Sequence, residues 1–200
     1  MTPKILAFAG STRTESWNKK LVKIAAAGAR AAGAEVTELD LRDIPLPLYD
    51  GDLEHEQGLP PNGRKLKDLM LRHDGFLISS PEYNSSISGV LKNAIDWASR
   101  PWGQNAFDHI PAAVIGASIG SIGTALAQQS LRAVLSFCNA RQMTAPEAYL
   151  TYTPELFPGN GAVSAESTTA FLSNFMAEFR DHIVRVLTVL PRDAATTDVP

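Results

Sequence analysis

Short apolar runs ended by Gly, Ser or Pro alternate five times with segments of helical period along this chain. That alternation has few solutions. Strands separated by helices build one parallel sheet covered on both faces, because parallel neighbours need a crossover between them. The first run, Lys4-Ile5-Leu6-Ala7-Phe8-Ala9-Gly10, is apolar on both sides, as a central strand must be. Over residues 19–32, Leu21, Ile24, Ala25, Gly28 and Ala32 recur at helical spacing, Lys19, Lys20, Lys23 and Arg30 take the other side, and Gly33 marks the stop. Residues 35–41 read as a second strand, 62–73 as a helix, and 75–80, closed by Pro81, as a third strand. Ser88 is placed to cap a helix that buries Val90, Leu91, Ala94, Ile95 and Ala98. Residues 111–118 give a fourth strand and 124–139 a helix. Residues 143–149 give a fifth strand, at an edge, because Pro146 has no N–H for a central ladder. The clearest helix comes last, with Phe171, Leu172, Phe175, Met176, Phe179, Ile183, Val186, Leu187 and Leu190 in one stripe.

The expected fold is therefore α/β: a doubly wound, five-stranded parallel sheet of flavodoxin-like order 2-1-3-4-5. Residues 1–190 are expected to form a single domain, and 191–200 a disordered polar tail. The 22 positions 42–63, with Pro45, Pro47, Pro60 and Pro61, form a connection long enough to be functional or to carry a short element of its own. Lys and Arg total 18 against 21 Asp and Glu, a net charge of −3, which leaves no basic field for nucleic acid or an anionic membrane surface. A single cysteine excludes a disulfide framework or a Cys-rich zinc site. No apolar run approaches the roughly 20 residues of a membrane span. With no leader-like segment ahead of the first strand, a cytoplasmic protein is expected.

In sheets of this order, ligands bind beyond the carboxyl ends of the strands at the switch point, here strands one and three. Three loops meet there: 11–18, 81–88 and 118–123. The first offers Ser11, Thr12, Arg13, Thr14, Ser16 and Asn18 just before a helix, so hydroxyls, a guanidinium and unpaired N–H groups gather at the positive end of the helix dipole. This suits a phosphate, and equally a polar turn capped by Ser16. Neither a Gly-Lys-Ser/Thr triphosphate loop nor G-x-G-x-x-G follows the first strand. The second loop, Pro81-Glu82-Tyr83-Asn84-Ser85-Ser86-Ile87-Ser88-Gly89, presents an aromatic ring and several polar groups, which a planar heterocycle would need.

Gly10-Ser11-Thr12-Arg13 with Ser16 and Asn18, and Pro81-Glu82-Tyr83-Asn84 continuing through Gly89-Val90-Leu91-Lys92-Asn93-Ala94-Ile95-Asp96-Trp97, resemble the NADPH-dependent FMN reductases, a flavodoxin-like group that includes chromate, quinone and azo-dye reductases. The resemblance implies FMN as cofactor and NADPH or NADH as co-substrate. It puts the FMN phosphate on Ser11, Arg13, Ser16 and Asn18, and the flavin ring against Pro81, Glu82, Tyr83 and Asn84, with Ser118, Gly120 and Ser121 on a third side. Trp17 stands in the phosphate loop in place of a smaller residue, where it could shield the phosphate or meet another subunit. Ser121-Ile122-Gly123-Thr124 lacks the glycine pair common in the family. The implied protein takes hydride from NAD(P)H and reduces a quinone, an azo or nitro compound, free flavin or a metal oxyanion. One shared flavin face implies ping-pong order. A homodimer or homotetramer is expected, with Trp97, the Trp102 segment and the 42–63 connection near one end of the sheet. The rival readings are a flavodoxin-type electron carrier and a flavin-responsive regulator, the second lacking any DNA-binding element.

Other chemistry-bearing residues carry simpler readings. His55, His73, His109 and His182 are scattered without ligand spacing. Cys138, beside Phe137, reads as a buried small hydrophobe. Asp50, Asp52, Glu54 and Glu56 read as a solvated loop, and Trp102-Gly103 as a candidate wall for a nicotinamide or quinone.

Overall fold

The computed structural model describes residues 2–153 and 166–191. Strand β1 (Lys4–Ala9) leads into α1 (Trp17–Ala31) and β2 (Glu35–Leu39). Helices α2 (Gly51–Gln57) and α3 (Pro61–Leu71) precede β3 (Gly75–Ser79). Then come α4 (Gly89–Ala98), β4 (Pro111–Ser118), α5 (Ala125–Phe137), the short β5 (Arg141–Gln142) and β6 (Ala148–Thr151), and finally α6 (Glu166–Val189). The strand order is β2-β1-β3-β4-β5, with β6 also paired to β4, and every pairing is parallel.

Alternation within each strand decides which side chain meets which layer. On one face Ile5, Ala7, Ala9, Leu77, Ala113 and Ile115 pack under Leu21, Val22 and Ala25 of α1 and Leu172, Phe175, Met176, Phe179 and Ile183 of α6. On the other, Leu6, Phe8, Phe76, Ile78, Ala112 and Val114 meet Leu66 and Met70 of α3, Leu91, Ala94 and Ile95 of α4, and Leu131 and Leu135 of α5. Each large aliphatic or aromatic side chain so buried contributes about 1.5–3 kcal/mol. The core therefore holds the sheet rigid beneath the loops at its carboxyl edge.

The expected fifth strand is two strands. Arg141 and Gln142 pair with the start of β4, and Ala148–Thr151 with its end. Pro146 lies between them, and a residue without an N–H cannot continue the ladder. The long connection does carry structure of its own, a 3₁₀ turn at Leu41–Asp43 and α2. There Asp50 is not a free solvated charge: its carboxylate caps α2 by accepting from the Asp52 N–H at 2.9 Å. Helix α1 begins two residues before the hydrophobic period does, at Trp17, because Ser16 caps it. The expected tail from residue 192 onward, and positions 154–165, lie outside the described residues.

Candidate functional site

All three loops lie at the carboxyl edge of the sheet and are bonded into one mouth. Ser88 Oγ, which caps α4 by accepting from the Leu91 N–H, donates to the Gly10 carbonyl at 2.6 Å and so ties the second loop to the first. That approach needs a glycine. A Cβ on Gly10 would lie 2.8 Å from Leu91 Cδ2 and 2.9 Å from Leu91 Cβ. Asn18 ties the first loop to the third. Its Nδ2 donates to the Ala117 carbonyl at 2.9 Å, and its Oδ1 accepts from the Ala117 N–H at 3.0 Å and from Ser79 Oγ at 2.8 Å. Strand β3 ends at Ser79, paired with Ile115. On that side of β4 no strand among the described residues lies opposite Ala117, and the Asn18 carboxamide acts as the missing peptide group.

In the first loop, Ser11 is buried and its Oγ accepts from the Arg13 N–H at 3.2 Å. Ser16 is buried and accepts from the Lys19 N–H at 3.4 Å. The Arg13 side chain is exposed and, among the described residues, reaches the Glu15 carbonyl alone, at 2.7 Å. The N–H groups of Ser11, Thr12 and Asn18 donate to no acceptor among the described residues. The start of α1 therefore keeps unused N–H donors, a guanidinium without a carboxylate partner among the described residues and the positive end of the dipole, which together fit a phosphate. Of the nearby cations, Lys19 is paired with Asp40 at 2.7 Å and Lys20 with Glu15 at 2.9 Å. Burial pushes the Asp40 carboxyl up, but the Lys19 ammonium and the Arg42 N–H outweigh it and hold it below its ordinary value. Arg42, which the sequence did not single out, donates to Thr14 Oγ1 at 2.7 Å. The Trp17 ring stacks on Tyr152 with centroids 3.7 Å apart, and Lys20 Nζ sits 4.8 Å from its centre.

The second loop is a tight hairpin. Tyr83 and Ser86 exchange both backbone bonds, at 3.0 and 3.1 Å, around Asn84 and Ser85 with φ of 52° and 61°. Two positive φ values make this the mirror-image turn that favours Asn and Gly. It holds Tyr83 half exposed, at 50%, above the mouth. Ser85 has no such preference, and Ser85→Gly is expected to raise stability by about 1 kcal/mol, read as a higher urea midpoint at unchanged slope. Glu82 turns away from the turn and accepts the Ala127 N–H at 3.0 Å. In the third loop, Ser118 Oγ donates to the Gly123 carbonyl and accepts from the Gly120 N–H at 3.1 Å, while Ser121 is exposed.

Trp102 is not brought to this mouth. It follows the carboxyl end of α4, where Asn105 Nδ2 donates to the Cys138 carbonyl and Arg141 pairs with Pro111, the first residue of β4. That is the amino end of the strands, so Trp102-Gly103 cannot wall the switch-point crevice. Trp97 is fully buried, with Nε1 donating to the Pro47 carbonyl at 2.8 Å, and is core. Cys138 is buried as expected, and burial pushes its thiol up, away from the reactive thiolate. Among the described residues no group of three or more His, Cys, Asp or Glu could hold a metal ion, and no helix is long and apolar enough to cross a membrane.

With this geometry in view, the comparisons with known proteins are direct. The profile of the family described as NADPH-dependent FMN reductase matches residues 3–155, which contain all three loops. The chain belongs to the NADPH-dependent FMN reductase family. Among its relatives in that family, a 2-hydroxy-1,4-benzoquinone reductase from Burkholderia sp is 42% identical over 180 residues, covering 90% of this chain and 95% of the relative. An NAD(P)H-dependent FMN reductase from Pseudomonas aeruginosa is 38% identical over 158 residues, covering 79% and 83%. The solved structure of FerB, a flavoenzyme NAD(P)H:(acceptor) oxidoreductase from Paracoccus denitrificans, superimposes with a TM-score of 0.83 at 38% identity, over 92% of this chain and 98% of that one. The family is one of oxidoreductases with FMN as cofactor and NAD(P)H as co-substrate, and the electron-carrier and regulator readings give way to an enzyme. The free donors at the start of α1 fit the phosphate of a mononucleotide.

Proposed function

We propose that this FMN reductase takes hydride from NADPH or NADH and delivers it to a small quinone, in ping-pong order. The observation that carries the acceptor class is the rim of the mouth. Tyr83, Ile119, Ile122 and Leu126 are exposed there, an apolar border that suits a planar uncharged acceptor better than a metal oxyanion. The quinone-reducing relative and the acceptor oxidoreductase named above point the same way. FMN, when bound, supplies the hydride chemistry, so no protein nucleophile is required. The chain's own residues hold and orient. Ser11, Ser16, Arg13 and the first turn of α1 take the phosphate. Trp17, braced by Tyr152, screens it from water. Pro81, Tyr83 and Asn84 border the ring on one side, and Ser118, Gly120 and Ser121 on another, with Asn18 positioning the first loop against the third.

One shallow crevice cannot hold two planar substrates at once, so the spent nicotinamide leaves before the quinone enters. Initial rates against NADPH and 1,4-benzoquinone are expected to give parallel double-reciprocal lines, and intersecting lines would overturn the shared crevice. Arg13→Ala removes a charge-assisted contact of about 1.5–3 kcal/mol. FMN should therefore bind about tenfold more weakly or worse, while riboflavin, which lacks the phosphate, binds as before. Equal losses for both ligands would show that Arg13 acts through the fold.

The assembly belongs to the same reading. A groove of about 880 Å³ near the amino end of the strands has Trp102 and Phe137, 78% and 80% exposed, at its borders. With the apolar rim at the opposite end, the chain has two faces for copies of itself, enough for a homodimer or a homotetramer. Light scattering of Phe137→Glu should fall by one step of assembly, and an unchanged mass would remove the groove from the interface. We infer a cytoplasmic location, because the reaction draws on NAD(P)H.

A further inference from the structure

Helix α5 starts directly after the third loop, without the usual cap. Thr124 stands at the N-cap position, but its side chain makes no capping bond, and the first turn holds no acidic residue. Thr124 Oγ1 accepts instead from Gln128 Nε2 at 3.1 Å. The acceptor comes from a different loop 45 positions earlier: Glu82 Oε2 takes the Ala127 N–H at 3.0 Å. A carboxylate at this place does two things. It satisfies a donor that the helix leaves open, and it sets a full negative charge against a helix end worth about half a positive one. Another tie of the second loop runs the opposite way, through Ser88 to Gly10, while the Ser80 N–H just ahead of the loop bonds the Ile115 carbonyl of β4 at 2.9 Å. Glu82 is the side chain that ties the second loop to α5 itself.

We propose that Glu82 is a positioning residue that fixes the second loop to α5 and, by cancelling the positive helix end, lowers the reduction potential of the flavin held between them. This rests on the reading that the flavin ring lies between the second and third loops. Reduction adds negative charge to the ring, and a bare helix N-terminus facing it would favour the reduced form. With Glu82 in place that pull is offset, so the reduced cofactor remains a stronger donor toward a quinone. The Glu82 side chain therefore acts on the cofactor through α5 rather than by contact.

The experiment uses the FMN-loaded protein and two variants. Glu82→Gln keeps a carbonyl oxygen for the Ala127 N–H and removes the charge. Its reduced FMN should bind about tenfold more tightly relative to oxidised FMN than in the parent, a potential about 30 mV higher in a two-electron titration. Affinity for oxidised FMN should stay within about twofold. Glu82→Ala removes the tie as well, and amide exchange in the first turn of α5 should quicken about tenfold. If the alanine variant does not fold, the potential of Glu82→Gln decides alone. A potential equal to the parent's overturns the inference and leaves Glu82 as a helix cap, with the reading of the site untouched. Parent protein that takes up no FMN overturns both.

Discussion

Gly116→Ala is expected to lower the stability of the fold by about 3 kcal/mol or more. Gly116 lies in the middle of β4, and an added Cβ would stand 1.9 Å from Thr124 Oγ1 and 2.6 Å from the Ser80 carbonyl oxygen. Thr124 could turn aside, but its Oγ1 accepts from the Gln128 carboxamide, which also reaches the Ala148 carbonyl at 2.8 Å. The Ser80 carbonyl cannot yield, because it is backbone and its residue is bonded to Ile115. Overpacking of this kind costs about 3 kcal/mol or more, a large share of the roughly 5–15 kcal/mol that holds a domain together. Urea unfolding should show the loss whether or not FMN is present. Adding Thr124→Ala should recover only part of it, since the backbone clash persists. A single variant within 1 kcal/mol of the parent would mean that β4 and the loop after β3 can move apart.

Asn18→Ala should cost about 3 kcal/mol, through a different cause. It strands the Ala117 N–H and carbonyl and the Ser79 hydroxyl, at about 1–3 kcal/mol for each buried group left unpaired, softened by water entering from the mouth. At roughly 2–4 °C per kcal/mol for a chain of this size, the melting temperature should fall by about 6–12 °C. Asn18→Asp has the same shape but turns an oxygen toward the Ala117 carbonyl, and should also be destabilised without FMN. If Asn18 were first a phosphate contact, Asn18→Asp would weaken FMN binding and leave the flavin-free protein as stable as its parent.

These residues also mark what a sequence can and cannot reveal. The strand order was legible because strands buried on both faces leave runs such as 4–10 and 111–118 with no polar face, and right-handed crossovers between them leave a handful of topologies, among which five strands favour 2-1-3-4-5. The gathering of the three loops at one edge of the sheet was legible for the same reason. What each polar side chain does inside them was not. Asn18 and Ser16 sit in one phosphate-like string, yet one completes a ladder with β4, 99 positions away, and the other caps its own helix. Glu82 reads as part of a flavin-lining motif, but its partner is an amide in α5. Tyr152, stacked on Trp17, left no signal at all, because its role depends on where β6 ends. The split of the last strand was half visible: Pro146 marked an edge, but only the register of β4 determines that pairing resumes beyond it. Trp102 is close in sequence to the Pro81–Trp97 motif but far from its loop in space, because the ten-residue helix α4, most of it within that motif, carries the chain away from the mouth.

An anaerobic two-step reduction tests the enzymatic reading most directly. Protein loaded with FMN is mixed with one equivalent of NADPH, and the flavin absorbance is followed until it settles. 1,4-Benzoquinone is then added without oxygen. The expected result is that NADPH, or NADH, bleaches the flavin band in the first step and the quinone restores it fully in the second, each step going to completion without the other substrate present. A flavin band that neither nucleotide bleaches, or one that stays bleached when the quinone arrives, would contradict an NAD(P)H-dependent FMN enzyme that passes hydride to quinones.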